Sequence, residues 1–305
     1  MTWIVPEPVE AFDVAMDDGA TVRVRRHGRP DAPVRLFVSH GNGFAVDGYL
    51  PFWGPLAARA DLVVFDFRNH GRNPLSDPAR HHYAQMARDI ETVCRAIDAR
   101  LGRKTTVGVF HSMSARAAMK HAIEIGWRWD ALALFDPPNV PPTDHPVYPV
   151  MEAFERLLAD WAAKRRDRFA DPSELAAEYL KARAHRTWVD GAHGLMARAV
   201  LRRDESRGDW ALTCPPALES AIYTAALSLN LWPRADAFGG PVKLVGADPD
   251  AEGAPAPAFA NRALGRENGF DYDTVPGTGH LMQIQKPEAC RALLLDFLAK
   301  AKIAL

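Results

Sequence analysis

The chain has 305 residues, 48% of them hydrophobic, and 37 Lys and Arg against 38 Asp and Glu give a formal net charge of -1. That balance supplies no overall field to hold nucleic acid or an anionic membrane, so the expected partner is a small molecule. No stretch approaches the ~20 apolar residues of a membrane span, and Met1 to Glu10 lack a basic segment followed by an apolar core. Cys94, Cys214 and Cys290 are odd in number, far apart and without CxxC spacing, which argues against a disulfide framework and a cysteine zinc site. A cytoplasmic protein is expected, and a homodimer is compatible with its sequence.

Phe12, Val14 and Met16 alternate before Asp17-Asp18-Gly19, and Val22 and Val24 alternate after it, which predicts an antiparallel hairpin. Val34 to Ser39 reads as a strand ending in His40-Gly41-Asn42-Gly43-Phe44, where the glycines suit a tight turn. Leu62 to Phe67 is a nearly continuous apolar run, as in a strand buried on both faces. It leads into a polar loop, Arg68 to Pro74, in which His70 offers a base by residue type. Tyr83, Met86, Ile90, Val93, Cys94, Ile97 and Leu101 recur at helical spacing and predict a sheet-covering helix.

A second strand-to-helix transition runs from Thr105 to Met119 through a polar hinge at His111-Ser112-Met113-Ser114. Val107, Val109 and Phe110 favour a strand; Ala115, Ala117 and Ala118 favour a closely packed helix. Ser112 at the hinge is a candidate nucleophile, since a sharp turn would expose its Oγ to a base and to backbone N–H donors. A rival frame centres the turn on Ser114 and sets the bulky Arg116 after it. Phe110, two residues before Ser112, adds bulk where the turn is crowded. Ala131 to Phe135 reads as another buried strand, and Asp136 at its carboxyl end occupies a place where ligands gather in open α/β sheets.

From residue 139 to 238 the pattern changes to amphipathic helices with few strand-like runs. Met151, Phe154, Leu157, Leu158 and Trp161 form one apolar stripe, Leu175, Tyr179 and Leu180 a second, and Leu218, Ile222, Leu227 and Leu231 a third. Lys164 to Arg168 reads as a solvated helix face, with a phosphate or carboxylate site as the alternative. The strand pattern resumes at Pro241 to Gly246, before Asp248 and Asp250. A last strand-like run, Phe270 to Thr274, precedes Val275-Pro276-Gly277-Thr278-Gly279-His280, and a helix from Pro287 closes the chain.

Phe110-His111-Ser112-Met113-Ser114 resembles the GxSxG nucleophile elbow of the α/β-hydrolase superfamily, with Phe110 and Ser114 in place of its glycines. His40-Gly41-Asn42, Asp66 to Gly71 and Gly277 to His280 are similar to three further loops of that family, and the second resemblance implies that His70 orders neighbouring turns. The resemblance covers about residues 12 to 302 and implies an α/β-hydrolase fold: a mostly parallel central sheet flanked by helices. Its core would comprise residues 1–138 and 239–305, with 139–238 as an inserted helical cap.

The resemblance also implies a Ser-Asp-His triad of Ser112, Asp248 and His280, with Asp250 as alternative acid and Asp136 as a further one. Backbone N–H groups of Asn42 and Met113 would form the oxyanion hole. The implied activity is hydrolysis of a small to medium ester, thioester or lactone with a partly apolar acyl group, without a metal or organic cofactor. Alternatives on the same fold are a perhydrolase or acyltransferase, a dehalogenase-like enzyme suggested by His40-Gly41-Asn42, and a non-catalytic binding protein suggested by Phe110.

Overall fold

Runs of β-branched and aromatic residues with no polar face can be satisfied only in strands covered on both sides, and the centre of the sheet is built from them. The computed structural model describes residues 2–305. Its main sheet contains β1 (Glu10–Ala15), β2 (Thr21–Gly28), β3 (Val34–Val38), β4 (Asp61–Phe65), β5 (Thr105–His111), β6 (Ala131–Phe135), β10 (Val242–Ala247) and β11 (Asp271–Val275). The order is β1-β2-β4-β3-β5-β6-β10-β11. The predicted hairpin is the antiparallel β1–β2 pair, β2 is antiparallel to β4, and every later pairing is parallel.

Because β3 lies between β4 and β5, the chain winds in opposite directions on the two sides of β3. Loops after β3 and β5 therefore part at its carboxyl end and leave a crevice, the usual place for a ligand in an open α/β sheet.

Helices α1 (Leu50–Trp53), α2 (Tyr83–Leu101) and α3 (Met113–Glu124) lie between the early strands. The predicted α2 stripe is buried, including Cys94, and packs on α3. Between β6 and β10 come α4 (Tyr148–Lys164), α5 (Pro172–Lys181), α6 (Ala192–Val200) and α7 (Pro216–Ala226). Helices α8 (Ala256–Asn268), α9 (Met282–Gln285) and α10 (Pro287–Lys300) complete the chain. In α10, Cys290, Leu294, Phe297 and Leu298 are buried. Among the described residues no helix is long and apolar enough to cross a membrane.

The segment between β6 and β10 departs from the sequence reading in two respects. It holds a small antiparallel sheet, β7-β9-β8, from β7 (Arg168–Phe169), β8 (Leu201–Asp204) and β9 (Asp209–Leu212). Arg168 on β7 bonds to Asp204 and Asp209 across this sheet. Short strands stitched by charge carry no apolar alternation that sequence periodicity could detect. The buried face of α4 is also Met151, Glu155, Ala159 and Ala162, whereas Leu157 and Trp161 are 68% and 47% exposed. The stripe is turned because Glu155 is drawn inward by Arg116 of α3.

Candidate active site

Strand β5 passes into α3 through Ser112, whose backbone has φ 53 and ψ -116. A non-glycine residue in that region costs about 1–3 kcal/mol and persists only when its surroundings impose it. Here Ser112 N–H donates to Phe135 O at 2.9 Å and its carbonyl accepts from Arg116 N–H at 3.0 Å. Ser114 does not compete for the role: its hydroxyl donates to His111 O and accepts from His111 N–H, both at 2.9 Å, in a fully buried turn. The bulk of Phe110 is absorbed below the turn. Its ring packs edge-on against Trp129 at 5.4 Å, in space left by Gly108, where a Cβ would come within 2.6 Å of the Phe110 ring.

His280 Nε2 lies 2.9 Å from Ser112 Oγ, and its Nδ1 lies 2.6 Å from Asp136 Oδ2. The carboxylate against the imidazole is therefore Asp136, and neither Asp248 nor Asp250 is in contact with it. Strands β6 and β10 are neighbours, so the loops after both reach the same edge, and either could bring an acid to that place. Asp136 follows β6 directly with φ 44 and is fully buried; its Oδ1 accepts from Ala247 N–H at 3.0 Å and Asn261 Nδ2 at 2.9 Å.

Asp248 instead accepts from the backbone N–H of Gly277 at 2.7 Å and of Asp250 at 2.9 Å, and these donors hold its carboxyl below the usual range. It ties down the loop that carries His280 rather than the ring. Asp250 is an exposed partner of Arg262 at 3.0 Å.

The loop after β3 closes over the elbow. A Cβ on Gly41 would lie 3.1 Å from Ser112 Cβ, so only glycine permits this approach. The Asn42 N–H has no hydrogen-bond partner among the described residues. Met113, first residue of α3, has no intrahelical acceptor for its own N–H. His40 donates from Nδ1 to Gly41 O at 2.8 Å and accepts at Nε2 from Phe67 N–H at 3.0 Å; burial keeps its pKa low, in the neutral form. His70 accepts from Gly43 N–H at 3.2 Å, as suits a loop-ordering residue.

Of three residues that tie these loops together, His111 lies in the elbow motif, and Tyr49 and Asn261 carry no distinct sequence signal. Gly41 N–H donates to Tyr49 Oη at 3.2 Å, and that hydroxyl donates to His111 Nδ1 at 2.8 Å. His111 Nε2–H then donates to His280 O at 2.9 Å. Burial pushes the His111 pKa well below its ordinary value, so the ring stays neutral and keeps this direction of donation. The chain links the β3 loop, the elbow and the His280 loop. Asn261 on α8 is the third, through Asp136.

Above the crevice, Arg116 bonds to Glu155 and to Tyr83 Oη, joining α3 and α2 to α4. Arg165, predicted to be solvated, is buried against Glu219 of α7 at 2.8 Å. Phe44, Tyr179, His185 and Trp188 form an aromatic cluster beside it. Asn42 Oδ1, Tyr179 Oη, His185 Nδ1, Glu155 Oε2 and Arg116 Nε are buried without a hydrogen-bond partner. The side chains buried here are more polar than the apolar stripes led one to expect.

One group among the described residues has metal-ligand character: His70, His81 and Cys214 bring ligand atoms within 4.8 Å of one another. Its fit is poor. His70 uses both nitrogens, on Arg68 O and Gly43 N–H, and burial pushes the Cys214 thiol up, so a metal would have to break loop contacts and deprotonate a buried thiol.

The profile of the alpha/beta hydrolase family matches residues 36–293. The chain belongs to this family. Its fold is similar to that of E-2-(acetamidomethylene)succinate hydrolase, with a TM-score of 0.74 at 19% identity over 95% of this chain and 100% of the other. It also resembles the thioesterase domain from the curacin biosynthetic pathway, with a TM-score of 0.68 at 17% identity over 94% and 98%. A thermophilic esterase from Thermogutta terrifontis, malate bound, gives 0.65 at 17% identity over 96% and 99%. Comparison with curated proteins by sequence finds no match.

Proposed function

We propose that the protein is a serine hydrolase that cleaves a carboxylic ester or thioester through an acyl-enzyme, with Ser112 as nucleophile, His280 as general base and acid, and Asp136 as the acid that orients it. The observation that carries this reading is the unbroken chain Ser112 Oγ, His280 Nε2, His280 Nδ1, Asp136 Oδ2 at 2.9 and 2.6 Å. In such a chain the imidazole takes the serine proton as Oγ attacks the carbonyl, and the buried carboxylate holds the Nδ1–H tautomer and balances the imidazolium.

The N–H groups of Asn42 and Met113 would receive the tetrahedral oxyanion, each worth about 10²–10³ in kcat by analogy with other oxyanion holes. Protonated His280 then returns its proton to the leaving group, and water repeats the sequence on the acyl-enzyme. These steps call on no metal or organic cofactor. The segment 139–238 would act as the cap that excludes bulk water.

The binding-protein alternative loses its motive, since Gly108 makes room for Phe110. Against a dehalogenase, the Asn42 side chain donates to Glu219 O at 2.8 Å, and the nucleophile position is a serine.

The test is hydrolysis of a chain-length series of p-nitrophenyl esters with fluorophosphonate labelling in parallel. Wild type should turn over and label stoichiometrically at Ser112, and Ser112→Ala should lose about 10⁶ in kcat. Absence of labelling in folded protein would contradict the reading.

A further inference from the structure

Ion pairs are seldom buried without a reason, because removing two charges from water costs more than most pairs return. The Arg165–Glu219 pair is nearly buried, with side-chain exposures of 8% and 2%. It stands directly over the loop that carries Asn42. The Glu219 carboxylate is so close to Gly43 that a Cβ there would come within 2.3 Å of Oε1, and Glu219 O accepts from Asn42 Nδ2 at 2.8 Å. Arg165 is thus one carboxylate away from the oxyanion loop.

The rest of its setting favours a bound anion. The guanidinium gives Nη1 to Glu219, which leaves its Nε and Nη2 uncommitted to that carboxylate. It is held flat by the Trp161 ring, 4.8 Å from its carbon. Two groups beside it, Tyr179 Oη and His185 Nδ1, are buried without partners, and Tyr179 is only 4% exposed. Burial of the pair also raises the Glu219 carboxyl. A planar guanidinium whose Nε and Nη2 are not given to Glu219 matches a carboxylate in two-point geometry.

We infer that Arg165 is a specificity determinant for a substrate that bears a carboxylate near the scissile carbonyl. The substrate class is the monoester of a short dicarboxylic acid or the ester of a hydroxy acid, with the anion on Arg165 and the Tyr179 hydroxyl. This rests on the serine-hydrolase reading above and narrows its substrate.

The experiment compares matched probes on the intact protein: p-nitrophenyl hemiglutarate against p-nitrophenyl valerate, and 4-acetoxybenzoate against phenyl acetate. One pair carries the anion on the acyl side and the other on the alcohol side. Wild type should favour the anionic member of at least one pair by about tenfold or more in kcat/KM, as a charge-assisted hydrogen bond requires. Arg165→Gln should collapse that ratio to about threefold or less, and Arg165→Lys should restore part of it.

Because Arg165→Gln leaves Glu219 unpaired, Arg165→Gln/Glu219→Gln is measured as well; it buries no lone charge and should show the same collapse. Absence of preference in both pairs, or a preference that survives in both variants, overturns the inference while leaving the hydrolase reading intact. Failure of all four esters in wild type that still labels with fluorophosphonate overturns this inference alone, and failure of both hydrolysis and labelling overturns the hydrolase reading and this one with it.

Discussion

The floor of the crevice and the segment proposed to roof it are built by different physics. In the floor, backbone geometry sets each group: Ser112 and Asp136 follow strands with positive φ, and neighbouring strands hold them there. In the roof, side chains do the work. Two buried ion pairs, Arg116–Glu155 and Arg165–Glu219, tie α4 to α3 and α7, and aromatic rings tie α5 to the loop after β3. A floor fixed by backbone keeps its atoms in place whatever the substrate, while a roof fixed by side chains can change its chemistry by one substitution.

The largest effect expected from this contrast lies in the roof. Glu155→Leu strands the buried Arg116 guanidinium and should lower stability by about 3–5 kcal/mol in urea unfolding. Arg116→Met/Glu155→Leu removes both charges and should recover most of that loss. If the single variant unfolds at the wild-type urea concentration, charge does not hold the roof and the contrast fails.

A smaller effect concerns buried histidines on both sides. Burial lowers His81 to about 3 and His185 to about 4. The unfolded chain therefore binds more protons than the folded one between those values and about 6.5, the ordinary histidine value. Stability from these rings is fully present above about 6.5 and is lost as pH falls through the window, by about 1.4 kcal/mol per unit per ring. Urea unfolding at a series of pH values should show this decline, and His81→Asn should reduce its slope by one ring's share, about 1.4 kcal/mol per unit. A flat profile from pH 7 to 5 in wild type would contradict burial of neutral imidazoles.

The same contrast explains what could be read in the sequence. His40-Gly41, Ser112 and Gly277 to His280 were legible because tight turns at strand ends demand glycine or small residues at fixed spacing, and the parallel strands around them announce themselves by continuous apolar runs. The carboxylate that touches His280 was not the one favoured by the sequence, because two adjacent strands end at the same edge and each is followed by an aspartate. Sequence spacing distinguishes Asp136 from Asp248 only by analogy, whereas contact with His280 distinguishes them directly. Arg165, Glu155 and Glu219 were invisible as interior residues, since a charge in a helix is read as solvent-facing unless its distant partner is known. Tyr49 and Asn261 act through contacts far along the chain and left no local pattern.

The central claim is the identity of the proposed triad, and the most direct measurement is kcat for a p-nitrophenyl ester with Asp136→Asn and Asp248→Asn side by side. Asp136→Asn should lose about 10⁴ in kcat, because an amide cannot hold the imidazole tautomer or balance its charge. Asp248→Asn should lose less than about tenfold, because the asparagine oxygen still accepts from Gly277 N–H. The reverse order, with Asp248→Asn inactive and Asp136→Asn near wild type, would contradict the account.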